Sequence, residues 1–465
     1  MRLRPHGLYI KPQGGARVIH NYNSVGLVTE KCVGCTDCIK RCPTEAIRVQ
    51  DGKAVVIREF CIDCGMCIKV CSNKAKKADT DGLAAIENYR YKIALPAPAL
   101  YGQYKNVLDV NIILTALKEL GFDEVFEVSH GAEVVTKAVG EIVMNSANAA
   151  ARPFISSACP VISRLIMMKF PDLIGNILPV IPPVEVMARL SRRHVCEREG
   201  LKPEDVGVFF ISPCAAKNTG THRPLGYEKS EIDGVIAISD VYVKLRNKIR
   251  KITPDKAEIL AHSSFRGVRW ALSGGESGNI DINSIAVDGI DNVIEVLEEL
   301  ENGQLDDVDF IEALACTGGC IGGALTVSNP FVARNNIERL GLLMRCDAGI
   351  KARRVDFGPV DFAELAFTRR LTPTRALKLD ADMSKALEKL ERMEEFIKEL
   401  PGIDCGACGS PKCETFARDL VMGQANMEDC IFMLRRKVKM MAESMVELAS
   451  KLPQTSFIQH RELRD

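Results

Sequence analysis

Aromatic residues are scarce, at 6 % of 465 residues with Trp270 the only tryptophan, so stacking platforms for single-stranded nucleic acid are not evident. Net charge is absent as well: 61 lysines plus arginines balance 61 acidic residues, and no global field argues for a nucleic-acid or anionic-membrane partner. Long apolar runs are missing. Stretches such as IGNILPVIPPV at 174–184 are short and broken by proline, well under the ~20 residues that cross a bilayer. The basic opening MRLRPHGLYIKPQGG has no apolar run behind it. It does not read as a secretory signal, and a cytoplasmic location is expected. The histidines form no H-x-x-H or H-E-x-x-H arrangement, which gives no support to a zinc hydrolase.

What the chain does have is apolar mass, at 46 %, and 18 cysteines. The length predicts two or three domains with a substantial core. In a reducing compartment disulfides are not the expected use of so many thiols. Most of them fall in tight, repeated spacings, which points to metal or iron–sulfur ligation.

Two near-copies stand first. CVGCTDCIKRCP supplies Cys32, Cys35, Cys38 and Cys42, and CIDCGMCIKVCS supplies Cys61, Cys64, Cys67 and Cys71. Each follows C-x2-C-x2-C-x3-C, in which the fourth cysteine of one run ligates the other run's cluster. Cys32, Cys35, Cys38 and Cys71 are therefore expected on one [4Fe-4S] cluster, and Cys61, Cys64, Cys67 and Cys42 on a second. Ser72 stands where the motif usually has a second proline. The segment has little apolar mass of its own, so its clusters must cross-link it.

From about residue 83, the runs YKIALPAPAL, GVFFISPC and VDFIEALAC read as buried strands. Patterns such as VLDVNIILTALKELG and IDNVIEVLEELENG read as helices between them. That alternation predicts α/β layers. Cys159, Cys214 and Cys316 each follow a strand-like run, and groups at the C-terminal ends of strands in such a sheet converge on one crevice. Residues 376–400 read as one amphipathic helix stopped by Pro401-Gly402. Cys405, Cys408, Cys413 and Cys430 then follow as C-x2-C-x4-C-x16-C. A helix over about 427–452 is expected to cap that small domain, with partner docking as the alternative. Cys196 and Cys346 are read as small buried or surface residues rather than ligands, and Trp270 as core packing.

With these motifs in place, the middle of the chain resembles the catalytic domain of [FeFe]-hydrogenases over roughly 83–345. Three signatures carry the resemblance: Ser156-Ser157-Ala158-Cys159-Pro160, Ser212-Pro213-Cys214-Ala215-Ala216-Lys217, and Leu314-Ala315-Cys316-Thr317-Gly318-Gly319-Cys320-Ile321-Gly322-Gly323-Ala324. It implies an α/β H-cluster domain at 83–375. Before it comes an α+β two-cluster ferredoxin-like domain at 1–82. After it, 376–465 hold a helical linker, a small mostly helical [4Fe-4S] domain and a terminal helix.

By resemblance, Cys159, Cys214 and Cys316 are cubane ligands and Cys320 bridges to a di-iron unit carrying carbonyl, cyanide and a bridging dithiolate. Lys217 matches the lysine that hydrogen-bonds cyanide, and Ala97-Pro98-Ala99 matches a further cyanide-contacting motif. The C-terminal spacing resembles the [4Fe-4S] module of corrinoid iron–sulfur proteins, although four cysteines also suit zinc. Four [4Fe-4S] clusters and one di-iron unit are then expected in all.

One departure matters most. Catalytic members have a proton-relaying cysteine where this chain has Ala158, and a methyl group carries no proton. The continuing glutamates map onto Glu141 and Ala138, and Ser212 replaces a methionine. Positioned proton transfer contributes 10²–10⁴-fold in rate, so the resemblance implies slow turnover, as in the sensory branch, unless Ser212 or water offers another route. The expected activity is reversible H2 = 2 H+ + 2 e−. The expected partners are H2, protons, a ferredoxin or redox signalling protein and hydrogenase maturation proteins, with a homodimer left open. The alternative is an electron-transfer or assembly relative carrying cubanes only.

Overall fold

The computed structural model describes residues 22–107, 109–145, 152–345, 350–374 and 376–451. The lead segment 1–21 and Cys346 lie outside them. The chain divides into two compact units. One takes the residues up to Cys32, Arg41–Ala46 and Val56–Leu377; the other takes Val33–Lys40, Ile47–Val55 and the residues from Lys378 on.

The first unit is built on two parallel sheets. Their strands are β1 (Tyr91–Pro96), β2 (Glu124–Val125), β3 (Phe154–Ile155), β4 (Val206–Ser212), β5 (Gly234–Ala237), β6 (Ser284–Asp288) and β7 (Phe310–Leu314). One sheet has the order β2-β1-β4-β5 and the other β6-β7-β3. Tyr91 stands opposite Val206, Phe209 opposite Gly234, Ser284 opposite Phe310, and Phe310 opposite Phe154. β4 and β7 are buried along their whole length, as strands covered by helices on both faces must be, and their near-continuous Val, Phe and Ile content follows from that. Helices Val110–Lys118 and Ile290–Glu301 fall where the apolar period placed them. Asp109 caps the first by accepting the Asn111 N–H at 2.8 Å.

This topology positions the site. β1 ends directly before Ala97-Pro98-Ala99, β3 before Ser156–Cys159, β4 before Pro213-Cys214 and β7 before Ala315-Cys316. Chain leaving the C-terminal ends of parallel strands delivers all four segments to one crevice.

The second unit holds helix Met383–Glu399, which packs through Met393 on Phe416 and Ala417 of helix Cys413–Val421. The long helix therefore starts later than 376, because the Asp382 side chain accepts the Lys385 N–H and caps it there. The 431–450 helix (Ile431–Ser450) departs further from expectation: none of its side chains is buried. Only its start, at Cys430 and Met433, joins the small core, so it does not cap the domain.

A buried ion pair ties this unit together. Arg48 donates from Nε and a terminal nitrogen to both carboxylate oxygens of Asp419, at 2.5 and 2.9 Å, and Ser410 Oγ donates to the same carboxylate at 2.8 Å. Removing one partner strands the other charge away from water. Asp419→Ala is expected to cost about 3–5 kcal/mol, read as earlier urea-induced unfolding of the small core around Met393 and Phe416. A loss under about 1 kcal/mol would show that the pair does not hold the unit.

Candidate functional site

Four thiols from three strand ends come together in the first unit. Cys159 stands at the N-terminus of helix Pro160–Lys169 and Cys214 at that of helix Ala215–His222. Cys316 follows β7, and Cys320 opens the turn Cys320–Gly322. Their charges act on one another. Burial and then Cys159 push Cys214 up to about 11. Burial, then Cys159 and Cys214, push Cys320 up to about 12. Burial with Cys214, Cys159 and Cys320 alongside raises Cys316 well above the ordinary thiol range. Two cations oppose this: Lys217 lowers Cys214 and Cys320, and Lys69 lowers Cys316.

Crowded buried thiols that resist ionising alone ionise readily once metal charge lies among them. None of the four is in a disulfide. Among the described residues, no three His, Cys, Asp or Glu side chains close on a point as a single ion requires. A cubane asks for a looser set, because each thiolate holds a different iron. The donor chemistry fits an iron–sulfur group.

The loops that carry these thiols interlock. A β-carbon on Gly322 would collide with Thr317 O, and one on Gly323 with Pro213 O. Glycine is therefore required for the Cys316–Cys320 loop to lie this close to the Cys214 loop. Leu325 N donates to Pro213 O at 3.0 Å and Ile321 N to Ala271 O at 3.2 Å. Lys217 Nζ donates to Ala158 O at 2.8 Å, so the ammonium bridges the first and second signatures. The Ser212 hydroxyl is engaged with the Cys214 backbone, accepting its N–H at 3.0 Å and donating to its carbonyl at 3.1 Å. Ala97 and Ala99 are buried beside it, with Ala97 N donating to Ile211 O at 3.1 Å.

Sequence reasoning missed a pair of acids behind the first signature. Ser156 Oγ donates to Glu276 Oε2 at 2.5 Å and accepts the Ala158 N–H at 3.3 Å. Burial first, then the neighbouring Glu312, push the Glu276 carboxyl up to about 8. Burial also raises Glu312, against hydrogen bonds from the Ser277 hydroxyl and the N–H groups of Glu276 and Ser277. The acid mapped earlier, Glu141, is exposed on helix Val128–Asn145, and Ala138 is buried on the same helix. A signal for Glu312 existed: it is the one charge inside the apolar run FIEAL, and a buried charge needs partners. Trp270 Nε1 donates to Thr136 Oγ1 at 2.9 Å, a packing contact, and Cys196 is half-buried on helix Pro183–Glu199.

A second thiol group adjoins the first. Burial, then Cys42 and Cys67, raise Cys64; burial, then Asp63, Cys64 and Cys67, raise Cys61. The fourth cysteine of one run thus sits with the first three of the other. Lys69, on the helix carrying Cys67, donates to Gly322 O at 3.0 Å. A β-carbon on Gly65 would run into Ala324, so this loop lies against the Cys316–Cys320 loop. Of the remaining four, Cys32 and Cys71 belong to the first unit, Cys35 and Cys38 to the second. Within the second unit, Cys405, Cys408, Cys413 and Cys430 line one small cavity. Burial raises Cys408, with Cys430 and Cys405 adding to it.

The comparisons with known proteins match three stretches of the chain that carry these thiols. The family model described as the C-terminal domain of the iron-only hydrogenase large subunit matches residues 90–281 and 244–324, together about half of the chain. A 4Fe-4S dicluster domain matches 24–72, and an Fe-S cluster family matches 400–432. Iron hydrogenase 1 of Clostridium pasteurianum is 24 % identical over 274 residues, 50 % of this chain and 47 % of that protein. The chain thus spans less than half the length of that relative. The periplasmic [Fe] hydrogenase large subunit of Nitratidesulfovibrio vulgaris is 27 % identical over 355 residues, 63 % of this chain and 84 % of that protein. A cytosolic Fe-S cluster assembly factor of Xenopus tropicalis is 22 % identical over 223 residues, 37 % of this chain and 46 % of that protein. Among the described residues no helix is long and apolar enough to cross a membrane. With a dicluster domain before it and an Fe-S cluster domain after it, the middle of this chain belongs to the iron-only hydrogenase large-subunit family.

Proposed function

We propose that the chain interconverts hydrogen with two protons and two electrons, slowly, and that its role is to report hydrogen or redox state. The observation that carries the reading is a cation set beside a complete thiol group. Cys159, Cys214, Cys316 and Cys320 supply the four thiolates of one cubane, and Lys217 acts on Cys320, which stands on a glycine-cradled turn, where an anionic ligand of a di-iron unit would need a positive partner. In this reading Cys320 would help hold a di-iron unit, which when bound would supply the chemistry that makes and splits hydrogen.

The chain's own residues do the rest. Lys217 offers a charge-assisted hydrogen bond to an anionic ligand in a buried pocket, and the Ala158 carbonyl holds it in place. Ala97-Pro98-Ala99 and the glycine loop shape the wall and keep water out. Cys42, Cys61, Cys64 and Cys67 would hold the cluster that exchanges electrons with the centre, and their loop touches the central one through Lys69 and Gly65. Four cubanes and one di-iron unit imply about 18 irons per chain.

Proton delivery is where this chain departs from a fast enzyme. Ala158 cannot carry a proton, but Ser156 beneath it holds a hydrogen bond to Glu276, a carboxyl that burial keeps protonated to about pH 8. Glu276 through Ser156 is the reserve route, one link short of the reacting site. The assembly-factor relative favours a second reading, cubanes alone without hydrogen chemistry.

Isotope exchange separates the two. Anaerobically matured protein under D2 in H2O should form HD even when net turnover is slow. No HD above the unmatured control, from a preparation holding its full iron, would leave only the cubane reading.

A further inference from the structure

The 431–450 helix presents an apolar seam to solvent. Ile431, Leu434, Val438, Met441, Met445 and Leu448 recur at alternating steps of three and four residues, and each is between 43 % and 68 % exposed. That is a 3.5-residue period held over the whole helix, the spacing of a coiled-coil seam rather than of a helix lying on a globular core. A 20-residue helix is marginal in water unless its apolar face is covered, and among the described residues nothing buries a side chain of this one.

We propose that this seam pairs with the same helix of a second copy of the chain in a parallel, two-stranded coiled coil. Three features of the helix favour that occupant. β-Branched Ile431 and Val438 take one of the two alternating seam positions and Leu434 and Leu448 the other, the combination that favours two parallel strands. The positions flanking the seam do not oppose it. In a parallel, in-register pair Lys437 of one copy faces Ala442 of the other, and Ser444 faces Ala449, so no like charges meet and small residues allow close approach. The area suffices: six side chains per copy at about 100 Å² each bury roughly 1,200 Å², the lower end of a specific stable interface. Pairing through this helix joins two copies next to their C-terminal thiol sets, since Cys430 directly precedes it. It is independent of the chemistry proposed for the central site.

The test uses the full chain with its clusters in place. Sedimentation equilibrium should give twice the 51.1 kDa chain mass at micromolar concentration. Val438→Glu and Val438→Lys should each weaken association by about 100-fold or more, because an unpaired charge would be buried in the seam. Iron content and visible spectrum should be unchanged. Mixing the two variants should restore dimers, because position 438 faces itself in a parallel, in-register pair. Glu443→Lys, on the opposite face, should leave the dimer intact. A monomeric wild type, or seam variants that associate as tightly as wild type, would overturn the proposal. Variants that stay monomeric on mixing would overturn the parallel pairing.

Discussion

Glu276→Gln should lower hydrogen turnover by up to about 10²-fold, the lower end of what a positioned proton carrier contributes because its route stops one link short of the reacting site, while leaving the metal site intact. Glutamine keeps the shape and can still hydrogen-bond Ser156, so the change removes the exchangeable carboxyl proton and little else. The pH behaviour gives a second signature. The folded carboxyl lies at about 8 against an ordinary 4.5, raised first by burial and then by Glu312. Between those two pH values the unfolded chain has lost a proton that the folded chain keeps. Stability therefore falls as pH rises from 4.5 toward 8, and Glu276→Gln should flatten that slope. Wild-type hydrogen evolution should likewise decline above about pH 8, where Glu276 no longer arrives protonated. Ser156→Ala should reproduce the rate loss with the stability slope retained. Equal rates in wild type and Glu276→Gln, measured with one artificial reductant across pH, would remove Glu276 from the path.

Cys320→Ser should abolish hydrogen turnover altogether, the largest effect expected of any single change. Cys159, Cys214 and Cys316 would remain to hold a cubane, so about 16 of the 18 irons implied by four cubanes and a di-iron unit should persist. Cys320 is half-buried with Lys217 acting on it, and exchanging sulfur for oxygen changes little volume. Loss of activity through unfolding would instead release the other clusters too, which the iron count detects. Retained turnover would mean that Cys320 is a spare thiol in a cubane loop, and the di-iron reading would fall with it.

The strands and the site were legible in the sequence to different depths. The apolar runs that became β1, β4 and β7 were readable because parallel strands buried on both faces are almost uniformly apolar. β2 and β3 were not, because two residues each carry no period to detect. The cysteines could be grouped because thiolates on one cluster recur at short spacing. Lys69 could not be anticipated as a link, since its role depends on a carbonyl 253 residues away. Glu276 was hidden for the same reason: its partner Ser156 lies 120 residues earlier. The family resemblance points to Glu141 instead, which the helix turns to solvent. The terminal helix shows the opposite failure. Its helical extent was readable, but helicity alone does not say whether the covering surface is the same domain or another molecule. Only the exposure of Met441 and Met445 in the folded chain separates the two.

The central claim is that Cys320 holds a di-iron unit bearing carbonyl and cyanide ligands, and infrared spectroscopy reads those ligands directly in a window where protein is silent. Anaerobically matured wild type should show carbonyl and cyanide stretching bands that shift under H2 and vanish in Cys320→Ser, with the cubane absorbance of the two proteins alike. A fully iron-loaded wild type without those bands, or bands that survive in Cys320→Ser, would contradict the account.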